Sequence, residues 1–135
     1  DIWRTPPGSP GIEELLLGMV DAALKGRMSL NKAVSLISTN GAKRFGVYPQ
    51  KGVIAVGSDA DLVLYDPRQT TTIGQDMLFS KAKACDKLYE GITYQGRIRR
   101  TLVNGRTVFR DGEVVGERGW GKFVRAKPEN VSKEF

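Results

Sequence analysis

Apolar residues near the start of the chain recur every three or four positions, at Ile12, Leu15, Leu16, Met19, Val20, Ala23 and Leu24. That spacing lays one apolar stripe along an amphipathic α-helix of about three to four turns. Glu13 and Glu14 stand in its first turn and Lys25 with Gly26 at its end, as the helix dipole and the left-handed C-terminal position favour. Ser29 can then cap a second helix, whose apolar face is Leu30, Ala33, Val34 and Ile37. Thr39, Asn40 and Gly41 interrupt the pattern, and Ala42, Lys43, Arg44 and Phe45 add a last turn before Gly46. The two segments predict an αα-hairpin, and a Met-and-Leu stripe at this spacing reads as core rather than as a cofactor site.

Beyond Gly46 the apolar runs shorten. Residues 53–56 and 62–65 flank the polar stretch Gly57-Ser58-Asp59-Ala60-Asp61, which predicts strand, turn, strand. Gly57 can take positive φ, and the carboxylates of Asp59 and Asp61 can accept hydrogen bonds from nearby backbone N–H groups. Asp66-Pro67 is expected to close the second strand, because proline cannot donate to a ladder. Thr70, Thr71, Thr72 and Ile73 predict an edge strand. Residues 77–87 fit either a helical turn or an extended surface segment and read as loop. Strands at 98–103 and 107–110 flank Asn104-Gly105, a strong hairpin signal, and Asp111-Gly112 repeats the device before Glu113-Val114-Val115. The expectation is a three-stranded meander and, with 53–56 and 62–65, five strands.

Pro6, Pro7, Gly8, Pro10 and Gly11 are too many breakers for a helix or strand, so the first segment is a loop. Residues 116–135 lack periodicity and read as a tail. Trp120, Phe123 and Val124 suit docking, and solvated disorder is expected beyond about Lys127. With 135 residues and 40% hydrophobic content the chain can form one domain. No apolar run approaches a membrane span and no signal-peptide pattern opens the chain, so a soluble, cytoplasmic protein without a membrane partner is expected. The single Cys85 excludes an internal disulfide and fits a reducing compartment. Lys83 and Lys87 flank it, but a lone thiol in a chain without histidine reads as incidental. The first residue is Asp1, in what reads as mid-loop, and a segment of a longer protein is the expectation.

Five ordered motifs resemble one family. K-G-V-I-A-V-G-S-D-A-D-L-V-L-Y-D-P (residues 51–67) is similar to the start of the carboxyl-terminal β domain of the amidohydrolase superfamily. P-P-G-S-P-G-I-E-E (6–14) resembles the loop and helix after barrel strand eight in the cyclic amidohydrolases, the dihydroorotase, allantoinase and hydantoinase or dihydropyrimidinase group. Y-E-G-I-T-Y-Q-G (89–96), T-L-V-N-G-R-T-V-F-R-D-G-E-V-V (101–115) and G-W-G-K-F-V-R (119–125) resemble that group's tail. The resemblance implies an α+β fragment: the last helices of a (β/α)8 barrel over 1–46, part of a small C-terminal β-sandwich over 47–118, and a tail over 119–135. Few contacts are expected between the helical pair and the β segment, with a boundary near 46–52.

The resemblance also implies chemistry. The parent would be a homo-oligomeric, metal-dependent hydrolase that opens a ring amide in a small cyclic amide or ureide. Its divalent metals, a binuclear zinc pair, would be held by histidines, a carboxylated lysine and an aspartate. This chain has no histidine, so no catalytic or metal-binding residue and no bound metal are expected within it. Asp59, Asp61 and Asp66 fit turn and strand-end positions instead. The substrate contact implied here is Pro7 and Gly8, where a glycine lets the backbone approach a cyclic amide. Without the resemblance the same residues read as a plain loop leading into a helix.

Two rivals stand beside this reading. A net charge of +6 and a pI of about 9.6 would suit a basic nucleic-acid-binding module built on Arg97, Arg99, Arg100, Arg106 and Arg110 with Tyr94 and Phe109. Arg97 and Arg99 share one strand face while Arg100 takes the other, so the run makes no single stripe and no nucleic-acid partner is expected. The other rival is a non-catalytic amidohydrolase homologue, which nothing in these residues separates from an enzyme.

Overall fold

A computed structural model describes residues 8, 10–85 and 87–131. Helix α1 (Glu14–Leu24) forms where the stripe predicted it, but it is turned from the expected orientation. The residues it buries are Glu14, Leu17, Val20 and Asp21, while Ile12 and Leu15 from the stripe are exposed. At Asp21 the reason is polar: Gln95 N donates to its carboxylate at 2.8 Å, so α1 turns inward an acidic residue that a hydrophobic pattern assigns to solvent.

Ser29 caps the next helix as expected, its Oγ accepting a hydrogen bond from Lys32 N at 3.2 Å. Helix α2 (Leu30–Val34), a π-helical turn (Ser35–Thr39) and α3 (Asn40–Arg44) then follow one another without a break. The predicted interruption is thus absorbed as a wider turn. Its polar side chains are engaged: Ser35 Oγ donates to Asn40 Oδ1 at 2.9 Å, and Thr39 Oγ1 donates to Gly52 O at 2.7 Å. Gly52 lies so close to the helix that an added Cβ would stand 2.5 Å from that of Ala42, and its φ of +84° suits only glycine.

The sheet is a four-stranded antiparallel meander in the order β1-β2-β3-β4, made of β1 (Leu62–Thr72), β2 (Thr93–Val103), β3 (Arg106–Arg110) and β4 (Glu113–Val114). Asn104 (φ 47°) with Gly105 (φ 76°), and Asp111 (φ 51°) with Gly112 (φ 102°), make the two turns in the left-handed conformations their sequence predicts. Two expectations are corrected. Residues 53–56 form no strand, and Ile54 and Val56 are exposed at 87% and 108%. Asp66-Pro67 does not end its strand either: β1 slips register between Asp66 and Thr70 and resumes pairing at Thr70 with Gln95. The proline removes one donor, and a local bulge absorbs that loss without ending the ladder. Five expected strands therefore become four because 53–56 stays irregular, and the separate edge strand expected at 70–73 is instead the continuation of β1 to Thr72.

Residues 77–85 and 87 are largely irregular apart from a 3-10 turn, Lys83–Cys85. Leu17, Val20, Ala33, Ala42, Ile73 and Leu78 make the buried apolar set. Contact between the helices and the sheet is carried by α1 against β2, which corrects the expectation of few shared contacts on this one side. The tail is tied down further than expected. Trp120 Nε1 donates to Val103 O at 2.7 Å, Lys127 N to Gly46 O at 2.9 Å, and Asn130 Nδ2 to Tyr48 O at 3.1 Å. Among the described residues no helix is long and apolar enough to cross a membrane.

Candidate functional site

Of the two residues expected to meet substrate, Pro7 lies outside the described residues and Gly8 is exposed. Among the described residues a Cβ at Gly8 would have no neighbour within 4 Å, so on that side the backbone is open to approach. Gly11 ends the loop with φ +101°, and the Tyr89 ring closes over it: an added Cβ would meet Tyr89 Cε2 at 3.2 Å. Gly11 O accepts from Leu15 N at 3.1 Å, which ties the loop to the first turn of α1.

The motif Tyr89 to Gly96 is what this loop and helix rest on. Tyr89 stands over Gly11, and the Tyr94 ring lies against Gly18, 3.7 Å from where a Cβ would be. Gln95 N donates to the buried Asp21 Oδ1 at 2.8 Å. Tyr65 Oη donates to Gln95 O at 2.5 Å, and the same ring fills the space a side chain at Gly96 would need. Burial acts to raise the Asp21 carboxyl, yet the Gln95 N–H and the Lys25 ammonium, 2.8 Å away, outweigh it and hold the group below its ordinary 3.8. Burial, with the nearby Tyr89, Glu14 and Asp21, pushes the Tyr94 phenol above its ordinary 10.0. Glu13 reaches a different segment, its carboxylate accepting from Phe79 N at 3.1 Å and Ser80 N at 2.8 Å.

The three aspartates of the opening motif have structural partners. Lys51 lies 2.9 Å from Asp59 and also pairs with Asp61. Asp61 Oδ1 accepts from Asn104 N at 2.8 Å, so it caps the β2–β3 turn. Asp66 holds Arg68 at 3.0 Å, beside the register slip in β1. Burial works against the Lys51 ammonium, but Asp61 and Asp59 raise it above its ordinary 10.5. Two of the arginines considered for a basic surface are also paired, Arg99 with Asp111 at 2.7 Å and Arg106 with Glu117 at 3.1 Å.

The sequence holds no histidine, and among the described residues no three histidine, cysteine, aspartate or glutamate side chains gather into a metal-holding group. The residues present therefore do not fit a divalent metal centre. An open cleft of about 350 Å³ is lined by Tyr48, Gln50, Asp59, Arg125, Lys127 and Asn130 among others, and by none of the loop's described residues. Pattern reading passed over Asp21, Glu13 and Tyr89, since their partners are distant in sequence. The one available signal was the Y-E-G-I-T-Y-Q-G motif itself, whose two tyrosines face glycines of the loop and of α1.

This geometry, an exposed Gly8 ahead of a helix held on a small antiparallel sheet, agrees with the amidohydrolase family, which matches residues 8–108. The chain belongs to that family. It is similar to D-phenylhydantoinase of Escherichia coli O1:K1 / APEC, with 43% identity over 129 residues, 95% of this chain and 28% of the relative. A D-hydantoinase structure superposes with a TM-score of 0.85 at 40% identity, covering 94% of this chain and 28% of that one. L-hydantoinase (dihydropyrimidinase) from Arthrobacter aurescens gives a TM-score of 0.81 at 35% identity over 93% of this chain and 28% of its own. The chain thus spans little more than a quarter of the length of these relatives.

Proposed function

We propose that the chain is the carboxyl-terminal part of a hydantoinase-like cyclic amidohydrolase, an enzyme that hydrolyses a ring amide in a cyclic ureide. The observation that carries this reading is the 43% identity to a D-phenylhydantoinase across 95% of the chain. Residues 1–46 would end the barrel, 47–118 would form part of a β-sandwich, and 119–135 would be the tail of a cytoplasmic homo-oligomer. The exposed Ile12, just before α1, and Leu15 of α1 would then face the barrel. A divalent metal, binuclear zinc, would supply the hydrolytic chemistry and would be held by residues outside this chain. The part played here is binding: Pro7 and the open backbone at Gly8 would lie beside the ring.

The test is a ring-opening assay of the longer protein on hydantoin, dihydrouracil, allantoin and dihydroorotate. Hydrolysis of the hydantoin or dihydropyrimidine ring, lost on chelation and restored by divalent metal, is the expected result. A folded, metal-loaded protein that opens none of the four rings would replace this reading with a non-catalytic homologue.

A further inference from the structure

Two separate contacts reach the start of α1 from the far end of the sheet, and both end within residues 11–13. The Tyr89 ring closes over Gly11, whose φ of +101° excludes most side chains. Tyr89 is itself held: its carbonyl accepts from Ile92 N at 3.0 Å, and that turn pairs with the end of β1 through Gly91 N to Ile73 O and Ile73 N to Ile92 O, both 2.9 Å. The second contact is the Glu13 carboxylate on Phe79 N and Ser80 N. That segment is anchored by the buried Leu78 and by the Phe79 ring, which stands edge-on to Phe109 of β3 with centroids 5.9 Å apart.

Gly8, Pro10 and Gly11 have no regular backbone of their own to fix them. Their direction is set where they join the helix, and there a flat ring and a doubly held carboxylate grip the chain from two sides. We infer that Tyr89 and Glu13 are positioning residues, which aim the backbone at Gly8, Pro10 and Gly11 toward the substrate ring from the β segment. This inference rests on the proposed role of Gly8. Neither side chain touches substrate; each acts by limiting where the loop can point, and a small displacement of a binding group weakens binding strongly.

The experiment compares steady-state constants of the longer enzyme for Tyr89→Ala, Tyr89→Phe, Glu13→Gln and Gly8→Val on one hydantoin. Tyr89→Ala is expected to raise KM about fivefold with kcat within about twofold, and Tyr89→Phe, which keeps the ring edge on Gly11, to restore KM. Glu13→Gln can accept at only one oxygen and should raise KM by a smaller factor, so it reads the same effect even where Tyr89→Ala yields no folded enzyme. Unchanged KM in both Tyr89→Ala and Glu13→Gln, beside a raised KM in Gly8→Val, would overturn the inference and leave the loop's role standing. Unchanged KM in all the variants would overturn both. Equal loss of kcat in Tyr89→Ala and Tyr89→Phe would also sink it, since the ring edge would not be the operative feature.

Discussion

Asp21 shows how one buried carboxylate can govern the orientation of a helix. It is 7% exposed, and its two oxygens are divided between Gln95 N at 2.8 Å and Lys25 Nζ at 2.8 Å. An acid whose folded pKa lies below its unfolded value binds fewer protons when folded, so stability rises with pH through that window. The contribution is therefore fully present above the ordinary 3.8 and is lost as pH falls through the lower folded value. Asp21→Ala leaves the Gln95 N–H without its acceptor and should cost about 1–3 kcal/mol near neutrality. Melts between about pH 3 and 7 should show the variant's deficit shrinking toward acid. A deficit that stays constant with pH would mean that Asp21 acts by packing alone. The partner is 74 positions away, which is why the charge reads as solvent-facing in the sequence and is found buried.

At the scale of elements, local signals held wherever one residue type had one conformational job. Asn104-Gly105 and Asp111-Gly112 turn with positive φ, and Ser29 caps α2, because these preferences are intrinsic to short backbone stretches. Residues 53–56 form no strand because apolar character alone does not supply a pairing partner, and no neighbouring strand meets them among the described residues. The β2–β3 hairpin carries a clamp that periodicity could not foresee. Trp120 Nε1 donates to Val103 O at 2.7 Å, and the Arg106 guanidinium lies 4.1 Å from the centroid of the indole. Trp120→Ala should destabilise by about 2 kcal/mol, and Trp120→Phe, which keeps a ring face but loses the donor, by about half as much. Because the Arg106 to Glu117 pair is exposed, added salt should change little. Equal melting temperatures for Phe and Ala variants would mean that the ring face contributes nothing.

For the whole molecule, the expected outcome is that the isolated chain, with zinc supplied, neither binds it stoichiometrically nor opens a hydantoin ring. A sequence without histidine and a structure in which Asp59, Asp61 and Asp66 are paired with Lys51 and Arg68 leave, among the described residues, no ligand set of the kind hydrolytic zinc takes. Metal analysis after gel filtration, together with a ring-opening assay, checks this, and stoichiometric zinc with turnover would refute it. The isolated chain should also be prone to association, since Ile54, Val56 and Phe123 are largely exposed and β1 has an open edge.

What the sequence determined alone was local or cumulative: two helices, the glycine turns, the meander over 98–115, and a family resemblance carried by ordered motifs. Each depends on backbone preferences within a few residues, or on motif order, which needs no coordinates. Only the tertiary structure decided which side of α1 turns inward, that β1 runs on past Pro67, and that the motif 89–96 supports the loop before the helix. Those outcomes depend on groups far apart in the chain meeting in space. A buried carboxylate is stable where distant N–H groups happen to converge on it, and the spacing of residues along the chain carries no record of that meeting.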